Sequence, residues 1–343
     1  MAGFAYGVDL GWISQLEKQG FYWVDEHDSK IDPILAAKNC GADSVRFRVF
    51  VNPPQEAYWT KRDGSTCILG LCAPNDVLEV SRRVKTLGMR LMIDFHYSDH
   101  FADPQYQDTP EEWKKDTVEE LEGRVYQHTT DVLGLLKENH IEPEWVQVGN
   151  EINTGILLPH GSFNDNTQAM ISLLNTGYTA VKDVFPECQV ITHLSAAHRP
   201  DLIEKFFDTF FNLGGKTDII GLSHYPYWFN LYAMNTGGEP VESTAEYLYD
   251  LLDRYCKRYL KPIMICEVGE KDSAAEDSYS LVDNTIKALK KLPDDHGVGV
   301  FYWEPEVNSA ILPDQYPLGA ANYLGEKKLQ YTKALCAYRD NKQ

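Results

Sequence analysis

The sequence predicts a single (β/α)₈ barrel, and three observations predict it. Eight short apolar runs of β-forming residues recur along the chain, and their starts fall 30 to 55 residues apart, the length of a strand, a loop and a helix. Helical stretches fill the gaps. No composition break, linker or low-complexity segment divides the 343 residues, so one domain over residues 1–343 is expected.

The runs, in order, are Phe4 to Leu10, Ser44 to Val49, Arg90 to Phe95, Trp145 to Gly149, Gln189 to His193, Ile219 to Ser223, Ile263 to Glu267 and Gly299 to Trp303. Each is rich in Val, Ile, Phe or Trp, as a strand buried on both faces requires. The predicted helices span Pro33 to Asn39, Asn75 to Leu87, Glu111 to Glu138, Asn166 to Val184, Arg199 to Asn212, Ser243 to Tyr259, Asp277 to Leu292 and Glu326 to Tyr338. Several carry start signals: Asn75 before DVLEV, Thr109-Pro110-Glu111-Glu112, and Ser243-Thr244-Ala245-Glu246 each put a capping side chain or a proline at the first turn, with an acid nearby.

Charge narrows the partners. With 32 basic against 51 acidic residues the net charge is -19, and no basic run occurs, so nucleic acid or an anionic membrane surface would be repelled. No apolar stretch reaches the length of a membrane span, and MAGFAYGVDL lacks the layout of a signal peptide. A neutral or cationic partner is expected, and a monomer. The 20 Tyr and 7 Trp cluster after putative strands, where flat rings can stack on sugar faces, although core packing accounts for most of them. The seven cysteines are too dispersed for a zinc site, and only Cys67 and Cys72 stand close enough to pair.

The chemistry sits at the strand ends. WVQVGNEIN closes the fourth run on Asn150 and Glu151, and IMICEVGE closes the seventh on Glu267. A lone Glu after a strand is more often a cap or an ion-pair partner. Two at one barrel mouth are what glycoside hydrolysis uses, one to protonate the leaving oxygen and one as base or nucleophile. Adjacent residues of a regular strand point to opposite faces, so Asn150 and Glu151 can share the site only if the strand ends or bulges there. Arg46 and Arg48 lie two apart and share a face, where a guanidinium can keep a carboxylate ionised or form an internal ion pair. His96 follows Asp94 by two in DFHYSD; it reads as a hydrogen-bonded wall residue or a ligand, and no further histidine completes a metal pair. Tyr225 in SHYPYW can donate to a carboxylate, and Trp303 in FYWEP can floor a sugar site.

Taken in order, GVDL, VRFRVFVNP, LMIDFHYSDHFADP, VQVGNEINTGIL, THLS, IIGLSHYPYW, the strand ending in Glu267, and YWEP resemble the glycoside hydrolase family 53 endo-β-1,4-galactanases over nearly the whole chain. The resemblance implies a retaining double displacement on the β-1,4-galactan of pectin side chains, with Glu151 as acid/base and Glu267 as nucleophile. It also implies that Asn150 holds the hydroxyl beside the reacting carbon, that Arg46 and Tyr225 support Glu267, that Trp303 lies under the sugar, and that His96 lines the site. No cofactor is implied. Some bacterial relatives hold calcium after strand seven, but here only Val268 to Ser278 precedes the next helix, without regular ligand spacing, so no required metal is expected. Family substrates lie outside the cell, so an extracellular location follows from the resemblance and a cytoplasmic one from the bare start of the chain.

The chain departs from the family pattern at Phe50 and Phe101, where tryptophan is usual, at SAAHRPD after strand five and at VGEKD after Glu267. Those loops build the negative subsites, so short products or a preference for oligosaccharides is expected. The competing readings are another retaining β-glycanase of the clan, on mannan, xylan or glucan, a non-catalytic sugar-binding barrel, and a metal-dependent hydrolase.

Overall fold

A computed structural model describes residues 3–342. Eight strands close a parallel barrel: β1 (Ala5–Asp9), β2 (Ser44–Val49), β3 (Arg90–Phe95), β4 (Trp145–Val148), β5 (Gln189–Leu194), β6 (Ile219–His224), β7 (Ile263–Val268) and β8 (Gly297–Trp303), with β8 pairing back onto β1. This is the (β/α)₈ barrel that the eight runs predict, and each strand starts and ends within two residues of its run.

Alternation along the strands divides the barrel interior into two levels. The lower is apolar and filled by Ala5, Met92, Trp145, Ile191, Ile219, Met264, Cys266 and Phe301. Gly7 leaves the space that Phe301 takes, since a Cβ there would lie 2.1 Å from that ring. One repeat further up, toward the C-terminal ends of the strands, the inward residues turn polar: Asp9, Arg46, Asp94, Gln147, His193 and Ser223, all buried. The larger apolar core lies outside the barrel, between strands and helices.

Most helices fall where predicted, among them Pro33–Asn39, Pro74–Thr86, Thr167–Val184, Pro200–Asn212, Ala245–Tyr259 and Ala275–Lys290. The stretch predicted as one helix over Glu111 to Glu138 is a 3₁₀ turn, Glu111–Trp113, then a helix, Val118–Glu138, started by a reciprocal cap between Thr117 and Glu120. The predicted helix Glu326 to Tyr338 is a correction. Gly325, Glu326 and Lys327 all have positive φ and form a tight turn, Lys328–Tyr331 is a strand, and only Cys336–Asp340 is α-helical. That strand belongs to a four-stranded sheet with Ala321–Tyr323, Tyr22–Val24 and Lys30–Ile31, beside the barrel. Two helices were not predicted, Ile13–Lys18 and Pro226–Thr236. All seven cysteines are free; Cys67 and Cys72 do not pair, because the Cys72 thiol points at the carbonyl of Gly11, 3.4 Å away.

Candidate active site

At the C-terminal mouth a cavity of about 530 Å³ is lined by Glu151, Glu267, Asn150, His96, Tyr225 and Trp303, together with Trp12, Phe101, Tyr316 and other loop residues. Arg46 is fully buried beneath it.

Strand β4 stops at Val148. Gly149 then takes φ +83°, and Glu151 adopts a left-handed conformation, φ 47° and ψ 49°. The turn lifts Asn150 and Glu151 out of strand alternation, which is the irregularity their adjacency demands. For a residue with a Cβ this region is strained. Gln107 pins the turn from above, its amide donating to the carbonyls of Asn150, at 2.8 Å, and Glu151, at 3.3 Å. The Glu151 carboxyl lies 2.5 Å from the hydroxyl of Ser223.

Glu267 reaches the same cavity by a different irregularity. Between β6 and β7 the pairing runs Leu222 with Ile265 and then Ser223 with Glu267, so Cys266 is skipped. This bulge brings Glu267 inward although Cys266 before it already faces the barrel floor. Sequence reading foresaw the break at Glu151 and not this one. Arg46 Nη1 donates to Glu267 Oε1 at 3.1 Å and the Tyr225 hydroxyl to Oε2 at 3.1 Å.

Arg46 is the hub of the polar level. Besides Glu267 it donates to Asp9 and Asp94, each at 2.7 Å, to Asn150 Oδ1 at 2.8 Å and to Gln147 Oε1 at 3.1 Å. Burial is the largest single effect on the Asp94 carboxyl and pushes it up, yet Arg46 and the neighbouring histidines, His96 above all, together outweigh it and hold the group below the ordinary range. Burial also raises both cavity glutamates. Glu267 comes to about 7, with Arg46 the chief force pulling it down. Glu151 is pushed well above the usual carboxylate range by burial and then by the charge of Glu267.

Asn150 is satisfied on its oxygen by Arg46, Gln147 and His193, and its Nδ2 donates to the carbonyl of Ala102 at 2.8 Å. An amide nitrogen has two hydrogens, so one N–H is left for a hydroxyl in the cavity. The backbone N–H of Ala102 donates to His96 Nδ1 at 2.8 Å, which places the ring proton on Nε2, facing Asp94 at 2.9 Å. Burial depresses His96 further, so the ring is neutral with both nitrogens engaged: a wall residue. Trp303 meets Trp12, Tyr316 and Phe101 edge-on, with centroids 5.2, 4.8 and 6.2 Å apart. Arg48 parts company with Arg46: it pairs with Glu304 and donates to the carbonyl of Leu69, away from the cavity. Of the two departures from tryptophan, Phe101 lines the cavity and Phe50 is buried behind it, 5.8 Å from the Phe101 ring.

Among the residues that escaped the sequence reading, three on the strands carried a usable signal: Gln147, His193 and Ser223. Each is a polar residue two positions after an apolar or glycine residue on the inward face of its strand, and period-two counting from Trp145, Ile191 and Gly221 would have found them. Among the described residues no group of three or more His, Cys, Asp or Glu has an arrangement that could hold a metal ion.

Comparison with known proteins gives a consistent result. The pattern of glycosyl hydrolase family 53 matches residues 5–336. An arabinogalactan endo-beta-1,4-galactanase of Cellvibrio japonicus is 31% identical over 88% of this chain and 80% of its own length. Among solved structures, the family 53 catalytic domain of Ignisphaera aggregans superposes with a TM-score of 0.82 at 26% identity, covering 98% of this chain and 95% of that one. A fungal beta-1,4-galactanase structure shares the fold, with a TM-score of 0.79 at 22% identity over 97% of this chain and 98% of that one.

Proposed function

The chain belongs to glycosyl hydrolase family 53, and on that premise we propose that it is an endo-acting hydrolase of the β-1,4-galactan side chains of pectin, working as a monomer by retaining double displacement. Glu267 is the nucleophile and Glu151 the acid/base. The observation that carries this reading is the unequal treatment of two carboxyls in one cavity. Glu267 has a donor on each oxygen, from Arg46 and Tyr225, which favours the ionised form that attacks. Glu151 has one hydroxyl contact and the repulsion of Glu267, which favours the proton a leaving group needs.

In the first step Glu267 attacks the anomeric carbon while Glu151 gives its proton to the departing glycosidic oxygen. In the second, Glu151 takes a proton from water, and that water's oxygen displaces Glu267 and restores the configuration. Asn150 offers its remaining N–H to the hydroxyl next to the reacting carbon, and the ring of Trp303 supports the sugar face.

Product analysis on purified β-1,4-galactan, with mannan, xylan and β-glucan alongside, tests the substrate. Oligogalactosides released from galactan alone are expected. Faster release from another glycan would move the assignment elsewhere in the clan. The retaining course requires the two carboxyls to lie about 5 to 5.5 Å apart in a crystal structure, and a separation near 9 Å would indicate inversion.

A further inference from the structure

A line of hydrogen bonds leaves the cavity wall at Glu151 and runs down into the barrel. Glu151 Oε1 is 2.5 Å from Ser223 Oγ, Ser223 Oγ is 2.9 Å from His193 Nε2, and His193 Nδ1 is 2.9 Å from Asn150 Oδ1. The direction of each link can be worked out from the far end by counting hydrogens. Arg46 only donates, and its Nη2 meets Asn150 Oδ1 at 2.8 Å; the carbonyl of Ala102 only accepts, and it meets Asn150 Nδ2 at 2.8 Å. The Asn150 amide is therefore fixed with its oxygen toward His193. A carbonyl oxygen cannot donate, so the proton of His193 is on Nδ1. Burial and then the charge of Arg46 keep this ring from taking a second proton, so Nε2 presents a lone pair. That lone pair takes the single hydrogen of Ser223. Were Glu151 ionised, the Ser223 hydroxyl would donate to it across the 2.5 Å contact and lower its pKa, but His193 Nε2 would then lose its donor. With the hydrogen on the His193 side, Ser223 has only lone pairs toward Glu151, and the contact needs a hydrogen supplied by the carboxyl.

We infer that Ser223 and His193, anchored on Asn150 and Arg46, form a relay that holds Glu151 protonated in the resting enzyme. They are positioning residues for the general acid, and the inference rests on the acid/base role proposed for Glu151. Ionising Glu151 makes the Ser223 hydroxyl swing round to donate to the carboxylate. The swing strips His193 Nε2 of its donor, and an unpaired acceptor is costly where His193 and Ser223 are buried. The relay thus opposes ionisation until the glycosidic oxygen takes the proton. It resets when Glu151 recovers a proton from water. The proton moves only between Glu151, the leaving oxygen and water, while the Ser223 and His193 hydrogens stay on their own atoms.

Other groups also bear on this site. Glu151 is faced by Glu267 from β7, by Asp103 from the loop after β3 and by Arg46 from β2; His193 is faced by Arg46, Asp94 and His96. Glu267 and Asp103 favour the proton on Glu151, and Arg46 opposes it. None of them depends on which way Ser223 points, so removing Ser223 isolates the relay.

The test is a titration of Glu151 by infrared difference spectroscopy, wild type minus Glu151→Gln, run beside the pH dependence of kcat/KM. Ser223→Ala deletes the acceptor of the acid proton and should lower the Glu151 pKa by about 0.5 to 1 unit; Ser223→Thr should restore it. His193→Phe frees the hydroxyl to donate to the carboxylate and should lower the pKa further, by about 1 to 2 units. A rise in Ser223→Ala would overturn the inference, because it would mean that Ser223 donates to a resting carboxylate; no shift would overturn it as well. If Glu151 titrates as expected while the basic limb of kcat/KM does not follow it, the relay stands and the acid/base role of Glu151 falls.

Discussion

On the β7 side of the mouth, Glu267 receives Arg46 on one oxygen and Tyr225 on the other; on the β4 side, Glu151 touches one hydroxyl and looks across at Glu267. The two are the same residue type in the same cavity, and both are raised by burial. What differs is the set of donors. A cation placed two residues from the N-terminal end of β2, hydrogen-bonded to one carboxyl and acting on the other only through space, treats a chemically symmetric pair unequally, which is the basis of the proposed division into nucleophile and acid.

The comparison breaks most completely at Glu267. Glu267→Ala should reduce turnover to the detection limit on polysaccharide and on activated aryl galactosides alike, since no covalent intermediate can form. Glu151→Ala should lose roughly 10²-fold to 10⁴-fold on galactan and much less in glycosylation with an activated leaving group, which needs no proton. Azide sharpens the contrast: it should rescue the Glu151 variant with a β-galactosyl azide, and attack directly in the Glu267 variant to give the α product. Reversed stereochemistry would exchange the two roles.

A smaller effect is expected at Tyr225. Its hydroxyl stabilises the ionised form of Glu267, so Tyr225→Phe raises the Glu267 pKa from the region of 7. The nucleophile must be ionised, so the acidic limb of kcat/KM should move to higher pH by about one unit, with a loss of about tenfold at the optimum. A limb that moves to lower pH would show that Tyr225 does not donate to the carboxylate. The smallest expected effect concerns the loops: with SAAHRPD after β5 and VGEKD around the end of β7, digests of galactan should be dominated by short products. Chromatograms dominated by tetramers throughout the time course would contradict that.

How far the sequence could be read depends on which forces set each part. The barrel strands were legible because burial on both faces makes them continuous apolar runs, as in Ile263 to Ile265. Glu151 and Glu267 were legible only as a pair: either alone reads as a cap or an ion-pair partner, but two acids at the ends of apolar runs that open on one barrel mouth have few structural reasons to be there. Arg46 and Arg48 share a face, so alternation alone hardly divided them and the resemblance singled out Arg46; the structure has Arg46 meet Glu267 and Arg48 meet Glu304. The strand Lys328–Tyr331 was misread because four residues carry little periodicity, and its pairing with Tyr22–Val24 is a contact across the whole chain. The bulge at Cys266 left no trace in composition at all.

The left-handed turn at Glu151 has a cost that activity conceals. Wherever a backbone runs helical or extended, alanine outranks glycine in stability. At position 151, φ 47° inverts that order, because a Cβ is what the conformation penalises. Glu151→Gly and Glu151→Ala both lack the carboxyl, so their difference isolates the backbone, and the glycine variant should unfold at the higher temperature, by about 1 kcal/mol of stability. The fold would thus be sturdier with glycine than with alanine at the very residue proposed as its acid/base.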